Sequence, residues 1–188
     1  MLTPFELDRY RSLLPDAART FLAGRRLLRD LVAASAGVDT ADVAIEARCP
    51  FCGGAHGRPA VIAPGSATRL QLGLAHTDTT VVAVAAWDHA VGVDVERSDA
   101  VPARERDHAI TTVAGASGDD PLAHWTRVEA VLKADGRGLR VDPRTVRIDI
   151  TDDGVEARVA GTDGTEAHYR LAEPDLGPDY TANVAVRL

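Results

Sequence analysis

Two stretches of helical periodicity, one in each half of the chain and each followed by strand-like runs, restrict the fold more than any other feature. The first, PDAARTFLAGRRLLRDLVAA over Pro15 to Ala34, has apolar residues at 18, 21, 22, 28, 31 and 32. That is the spacing of an amphipathic helix, with Arg19, Arg25, Arg26 and Arg29 around its other side. The second, PLAHWTRVEAVLKAD, opens on Pro121 and stops at Gly136, the residue types that favour a helix start and a helix end. LQLGLAHT, TTVVAVAAW and AVGVDVE follow the first helix and read as neighbouring strands with turns at HTD and WDH. After the second, the alternations Val146, Ile148, Ile150; Val155, Ala157, Val159; and Ala182, Val184, Val186 predict antiparallel strands separated by DDG, TDG and LGPD turns. A further short helix is expected over Arg104 to Val113. The class is α+β, and the repeated order of helix then strands hints at duplication.

RSDAVPARERD, polar and holding one proline, reads as a linker. It divides the chain into an N-terminal half, 1–98, and a C-terminal half, 99–188, and 188 residues are enough to bury a core. No apolar run reaches membrane-spanning length and no signal peptide opens the chain, so a cytoplasmic protein is expected. The net charge of −7 argues against a dedicated nucleic-acid binder. A polyanion would have to be held by local basic clusters. The arginines of the first helix form the most basic stretch, and a charge run of this kind ordinarily reads as a solvated face.

Both cysteines lie in RCPFCGGAHGRP. A Cys-x-x-Cys pair can begin a zinc site, but structural zinc usually takes four ligands, and only His56 is near enough in sequence to be a third. Cys49 and Cys52 therefore read as a reduced pair on a tight loop, with bound zinc as the alternative.

In VGVDVE, Asp94 and Glu96 stand two apart on an expected strand, so both point to one face while Val93 and Val95 point into the core. Alone, the pair reads as a polar outer face. A hard cation such as Mg²⁺ would also suit it, since Mg²⁺ is often held by one or two carboxylates plus substrate phosphates. Glu129 and Lys133, four apart, share a face of the second helix, which as an exposed ion pair contributes about a few tenths of a kcal/mol. Trp125, Val128 and Leu132 line the adjacent stripe. If they pack the helix on the strand, Glu129 joins Asp94 and Glu96, and Lys133 lies just beyond. Lys133 is the one lysine among 21 basic residues. A compact ammonium suits phosphate recognition at a site with no room for a guanidinium. His76 ends its strand run, and Arg58 in HGRP precedes the same strand as a second possible anion contact.

GVDVE followed by W-T-x-x-E-A-x-x-K-A-x-G-x-G-L resembles the signature pair of the Sfp-type 4'-phosphopantetheinyl transferases. AxRTFLAGRRLLR, CxxCGxxHGRP and Ala75-His76-Thr77 agree with that family in order, so the resemblance covers nearly the whole chain. It implies a pseudo-twofold α+β fold of two similar halves that meet at the active site. It also implies transfer of the phosphopantetheine arm of coenzyme A to a serine of an acyl or peptidyl carrier protein, with release of 3',5'-ADP, in polyketide or nonribosomal peptide biosynthesis. By the same resemblance Asp94, Glu96 and Glu129 would hold Mg²⁺. Glu129 would serve as base, and Lys133 would contact the pyrophosphate. His76 and Arg58 would contact the 3'-phosphate region of CoA, with Arg25 and Arg29 of the first basic helix as further candidates. A monomer is expected.

Three positions depart from the family pattern. Val128 stands where a lysine usually precedes the helix glutamate. ITTVAGASGDDPLAHW lacks the usual Phe-containing element and reads as a flexible loop. Ala75 replaces the serine that commonly precedes the histidine. These changes leave a catalytically impaired or repurposed CoA-binding relative as the alternative.

Overall fold

The computed structural model describes residues 2–115, 120–161 and 163–188, and the chain divides into two compact units, Met1–His89 and Ala90–Leu188. Each sets helices against an antiparallel sheet, the α+β class expected.

In the first unit, α1 (Pro4–Arg11) was not foreseen. Its start is held by a capping box: the Glu6 N–H donates to Thr3 Oγ1 at 3.2 Å, and the Thr3 N–H donates to Glu6 Oε2 at 2.9 Å. The expected basic helix is α2 (Pro15–Ala36), begun by proline and ended at Gly37 with a left-handed φ of 64°. The sheet runs β1 (Ala44–Glu46), β2 (Ala60–Ala63), β3 (Leu70–His76), β4 (Val81–Trp87) in that order. Leu28 and Val32 of α2 close on Ile45, Val61, Leu70 and Leu72 as the core. Gly24 faces β3, where a Cβ would stand 2.9 Å from Leu74 Cδ2, the movable end of a flexible side chain.

The basic face of α2 is not uniformly solvated, as the sequence suggested. Arg19 and Arg26 are exposed, but Arg25 and Arg29 are 7% and 5% exposed and both pair with Glu6, itself 2% exposed. α1 brings Glu6 beneath α2, so the two guanidinium groups share one carboxylate, which offsets one of their two charges and which the periodicity of α2 alone does not reveal.

In the second unit, β5 (Val91–Arg97) heads a sheet ordered β5, β9 (Tyr180–Arg187), β8 (Glu166–Ala172), β7 (Gly154–Ala160), β6 (Arg147–Thr151). This corrects two expectations. β5 is not a ladder neighbour of β4; it pairs residue by residue with β9, from Val91–Val186 to Arg97–Tyr180. The division consequently falls before Ala90 and not at residue 98. α3 (Ala103–Ala114), within the second unit, is the short helix expected over Arg104 to Val113, and it takes up the last residues of the supposed linker. β8 supplies Ala167, Tyr169 and Leu171 to the core, a period-two pattern not singled out from the sequence.

α4 (Pro121–Asp135) is the expected second helix. Asp120 caps it by accepting from the N–H groups of Leu122 at 2.8 Å and Ala123 at 3.0 Å, and Gly136 ends it at φ 84°. α4 lies across β5 and β9. The expected loop between the signature motifs is helical on both flanks, up to Ala114 and from Pro121, and 116–119 lie outside the described residues. No helix among the described residues is long and apolar enough to cross a membrane.

Candidate active site on the second unit

Gly92 sets the distance between helix and strand. A Cβ at this position would overlap the Ala130 carbonyl oxygen and the Ala134 amide nitrogen, so only a glycine lets α4 lie this close to β5. Strand alternation then sends Asp94 and Glu96 to the same helix-facing side as Gly92, and Val93 and Val95 to the opposite side, both buried. Val128 and Leu132 do pack the helix, at 0% and 1% exposure. Val128, where a lysine is usual in the family resembled, is thus a core residue here.

Lys133 Nζ donates to Asp94 Oδ1 at 2.6 Å. The ion pair suggested by sequence, with Glu129 one turn earlier, is replaced by one to the strand beneath. Asp94 is 5% exposed, and its other oxygen, Oδ2, is buried with no hydrogen-bond partner. Trp125, expected only to pack, also donates a side-chain hydrogen bond to Glu96. Beside that contact lies an apolar cleft of about 270 Å³ lined by Val101, Ile110, Val113, Leu122 and Trp125.

The carboxylates act on one another. Burial pushes the Glu96 carboxyl above its ordinary range and Asp94 adds to this, opposed by the Trp125 hydrogen bond and Lys133. Burial likewise raises Glu129; Lys133 opposes the shift, while Asp94 and Glu96 reinforce it. Three carboxyls therefore share one desolvated patch with a single ammonium. Their oxygens do not all approach to mutual ligand distance. Among the described residues, only Cys49, Cys52 and His56 bring three potential ligand atoms within 4.8 Å of one another. The donor set nonetheless suits a hard divalent cation: all donors are oxygens, one buried oxygen lacks a partner, and the excess negative charge is what a cation would relieve.

Thr126, present only as a letter of the helix motif, and Asn183 have a role that the sequence does not announce. Asn183 lies opposite Asp94 in the ladder, and its Nδ2 donates to Thr126 Oγ1 at 2.9 Å, both residues being buried. The bond fixes α4 over the strand pair at the level of Asp94. An asparagine inside the apolar run ANVAV was the available signal.

The remaining candidates lie in the first unit. Arg25, His56 and His76 line a cleft of about 850 Å³, together with Arg9, Arg19 and Asp78. His76 is exposed, and Arg58 donates from Nε to the Leu72 carbonyl at 3.2 Å. Arg29 is turned inward, donating to Glu6 Oε2 at 2.5 Å and to the carbonyls of Val43 and Arg25 at 3.2 Å each. Ala75 is buried.

No curated protein matches the chain. Residues 90–185, just over half of the 188 and nearly all of the second unit, match the family model described as the 4'-phosphopantetheinyl transferase superfamily. That span contains Asp94, Glu96, Glu129 and Lys133 on the two elements that Gly92 brings together, and the chain belongs to the 4'-phosphopantetheinyl transferase superfamily.

Proposed function

We propose that the protein is an Sfp-type transferase that moves the 4'-phosphopantetheine arm of coenzyme A to a serine of an acyl or peptidyl carrier protein in a Mg²⁺-dependent reaction. The observation that carries this reading is the buried, unpartnered Oδ2 of Asp94 within a patch of three carboxyls and one lysine. Asp94, Glu96 and Glu129 are the residues that would hold the metal. When bound, Mg²⁺ neutralises charge on the pyrophosphate oxygens.

The chain's own groups take the remaining roles. The serine oxygen attacks the phosphorus that bears the pantetheine arm. The bond from that phosphorus to the bridging oxygen breaks, and 3',5'-ADP leaves. Glu129 accepts the serine proton, directly or through a water. Lys133 exchanges Asp94 for the pyrophosphate and steadies the charge on the leaving nucleotide. For the 3'-phosphate region of CoA we assign Arg58, His76 and Arg25; Arg29 supports Arg25 through their shared acid, Glu6. The carrier is met through apolar contacts, for which Val101 and Val113 are exposed beside the cleft next to Glu96. The working form is a cytoplasmic monomer.

The test is incubation with CoA, Mg²⁺ and a panel of apo carrier proteins, read by intact mass. One carrier should gain a single phosphopantetheine arm, and EDTA should abolish the gain. CoA binding by titration without transfer to any carrier would make the protein a repurposed CoA-binding relative. Absence of CoA binding would remove the proposal altogether.

A further inference from the structure

We infer that Cys49, Cys52 and His56 form a zinc site in the first unit, separate from the carboxylate patch and independent of the transferase reading. Their ligand atoms all lie within 4.8 Å of one another. The set is two thiols and an imidazole, the soft-to-borderline donors that select zinc over magnesium or calcium. The sequence offered this only as an alternative, because a fourth ligand was missing.

The backbone around the trio is arranged to bring the three together. The Gly53 N–H donates to the Cys49 carbonyl at 2.9 Å, and the Cys49 N–H to the Gly54 carbonyl at 2.8 Å. This closes a tight knuckle whose turn needs the left-handed φ of 72° at Gly53. The Gly54 N–H points at Cys52 Sγ, 3.4 Å away, as a backbone donor to a thiolate would. A side chain at Gly54 would stand 3.1 Å from the His56 ring and 3.3 Å from Cys52 Sγ, so its absence lets ring and sulfur meet. Gly57 next in line admits no side chain either, since a Cβ would overlap the carbonyl of Arg48.

Cys52 Sγ and His56 Nε2 are 3.0 Å apart. Zinc bonds of about 2.3 Å to sulfur and about 2.0–2.1 Å to nitrogen in a tetrahedron separate such a pair by about 3.5 Å. For these two exposed side chains an ion therefore needs a small opening, with buried Cys49 supplying the second sulfur. His56 Nε2 binds the metal, which leaves the ring proton on Nδ1. Binding releases both thiol protons, and nothing is oxidised or reduced. With Cys52 and His56 at the surface, the fourth position faces solvent and takes water or an external donor. The ion ties the chain after β1 to the residues just before Arg58, so it would stiffen the segment that presents this arginine.

The test uses the full-length protein without a histidine tag. Elemental analysis after equilibration with zinc and gel filtration should give about one zinc per chain. Cobalt(II) should give the charge-transfer absorption of metal thiolates and the intense visible bands of a tetrahedral ion. Cys52→Ser and His56→Gln, both at exposed positions, should weaken zinc binding by roughly 10²-fold or more in chelator competition. Loss of a mere outer-shell partner already costs about 10–100-fold. Circular dichroism confirms that the variants fold. Loss of two hydrogens by intact mass, showing a Cys49–Cys52 disulfide, would overturn the proposal. So would a cobalt spectrum without thiolate absorption, or zinc uptake equal in the wild type and Cys52→Ser.

Discussion

Lys133 is the residue at which sequence and structure part most instructively. Its uniqueness among 21 basic residues marks it, but helical spacing assigns it to Glu129, whereas the structure gives it Asp94, 39 positions away, at 2.6 Å. A four-residue rule sees only the helix surface; the strand beneath can be seen only once Gly92 has let the helix down. The partner changes the expected effect of mutation. Lys133→Ala removes the ion-pair partner of a carboxylate that is 5% exposed. Breaking a fully buried pair costs about 3–5 kcal/mol; with Lys133 about one-third exposed, about 1–3 kcal/mol is expected in metal-free buffer. Mg²⁺ should restore part of that loss, as seen in urea melts with and without the metal. Transfer activity should fall roughly 10²–10³-fold, the usual cost of one preorganised charge at a transition state. Lys133→Arg should recover only part of it, because a wide fork replaces a compact ammonium. Full activity in both variants would remove Lys133 from the mechanism.

Among the elements, α2 and α4 could be read almost to their ends, because proline, glycine and apolar spacing agree locally. The place of β5 could not. Three apolar runs close in sequence suggest one sheet, yet which ladder a strand joins is decided by long-range pairing, here with β9. α1 carries a legible start in Thr3, Pro4 and Glu6, but it is only eight residues long and its burial rests on one acid, Glu6, rather than on an apolar stripe that periodicity would show. For the site, the acidic pair and the helix motif were visible as residue types, whereas the pairing of Thr126 with Asn183 was not. Neither is ionisable, and their role exists only through the 2.9 Å bond between them. The contact at Gly92 carries a prediction of its own. Gly92→Ala places a methyl against the backbone of α4 on a rigid strand, where no flexible side chain can yield. A loss of about 1–3 kcal/mol is expected by urea denaturation, together with weaker transfer as α4 shifts from Asp94. Gly65→Ala, where a Cβ would meet nothing within 4 Å, is the control and should be near neutral. Equal stability of the two variants would show that the helix moves away without cost.

The whole molecule responds to pH and salt through groups outside the carboxylate patch as well as within it. At the end of α4, burial pushes the Asp135 carboxyl up, but donors from Arg137 at 2.5 and 3.0 Å and from Tyr169 Oη at 3.0 Å outweigh it and hold the group below its ordinary 3.8. A depressed folded value means that the unfolded chain binds the proton first. The stabilisation is complete above the unfolded value and is lost as pH falls through the folded one. Asp135→Asn should therefore be less stable than the wild type at pH 7 and lose less on acidification from about pH 5 to about pH 3. Parallel acid limbs would exclude Asp135 as a source of the slope. Salt tests the proposed partner instead. If the carrier is acidic, as the family resemblance implies, a protein of net charge −7 repels it at distances beyond contact, and at 0.1 M salt such repulsion is screened over about 10 Å. Apolar docking does not suffer from screening. At saturating CoA, kcat/KM for the carrier should therefore rise, roughly twofold to fivefold, as ionic strength goes from about 0.02 to about 0.3 M. CoA binding should weaken over the same range if, as proposed, local cations hold its phosphates. The opposite slopes keep the two partners distinguishable in one titration series. If kcat/KM for the carrier fell along with CoA affinity, a basic patch would be meeting the carrier, and the exposed arginines of α2, Arg19 and Arg26, would be the first to replace.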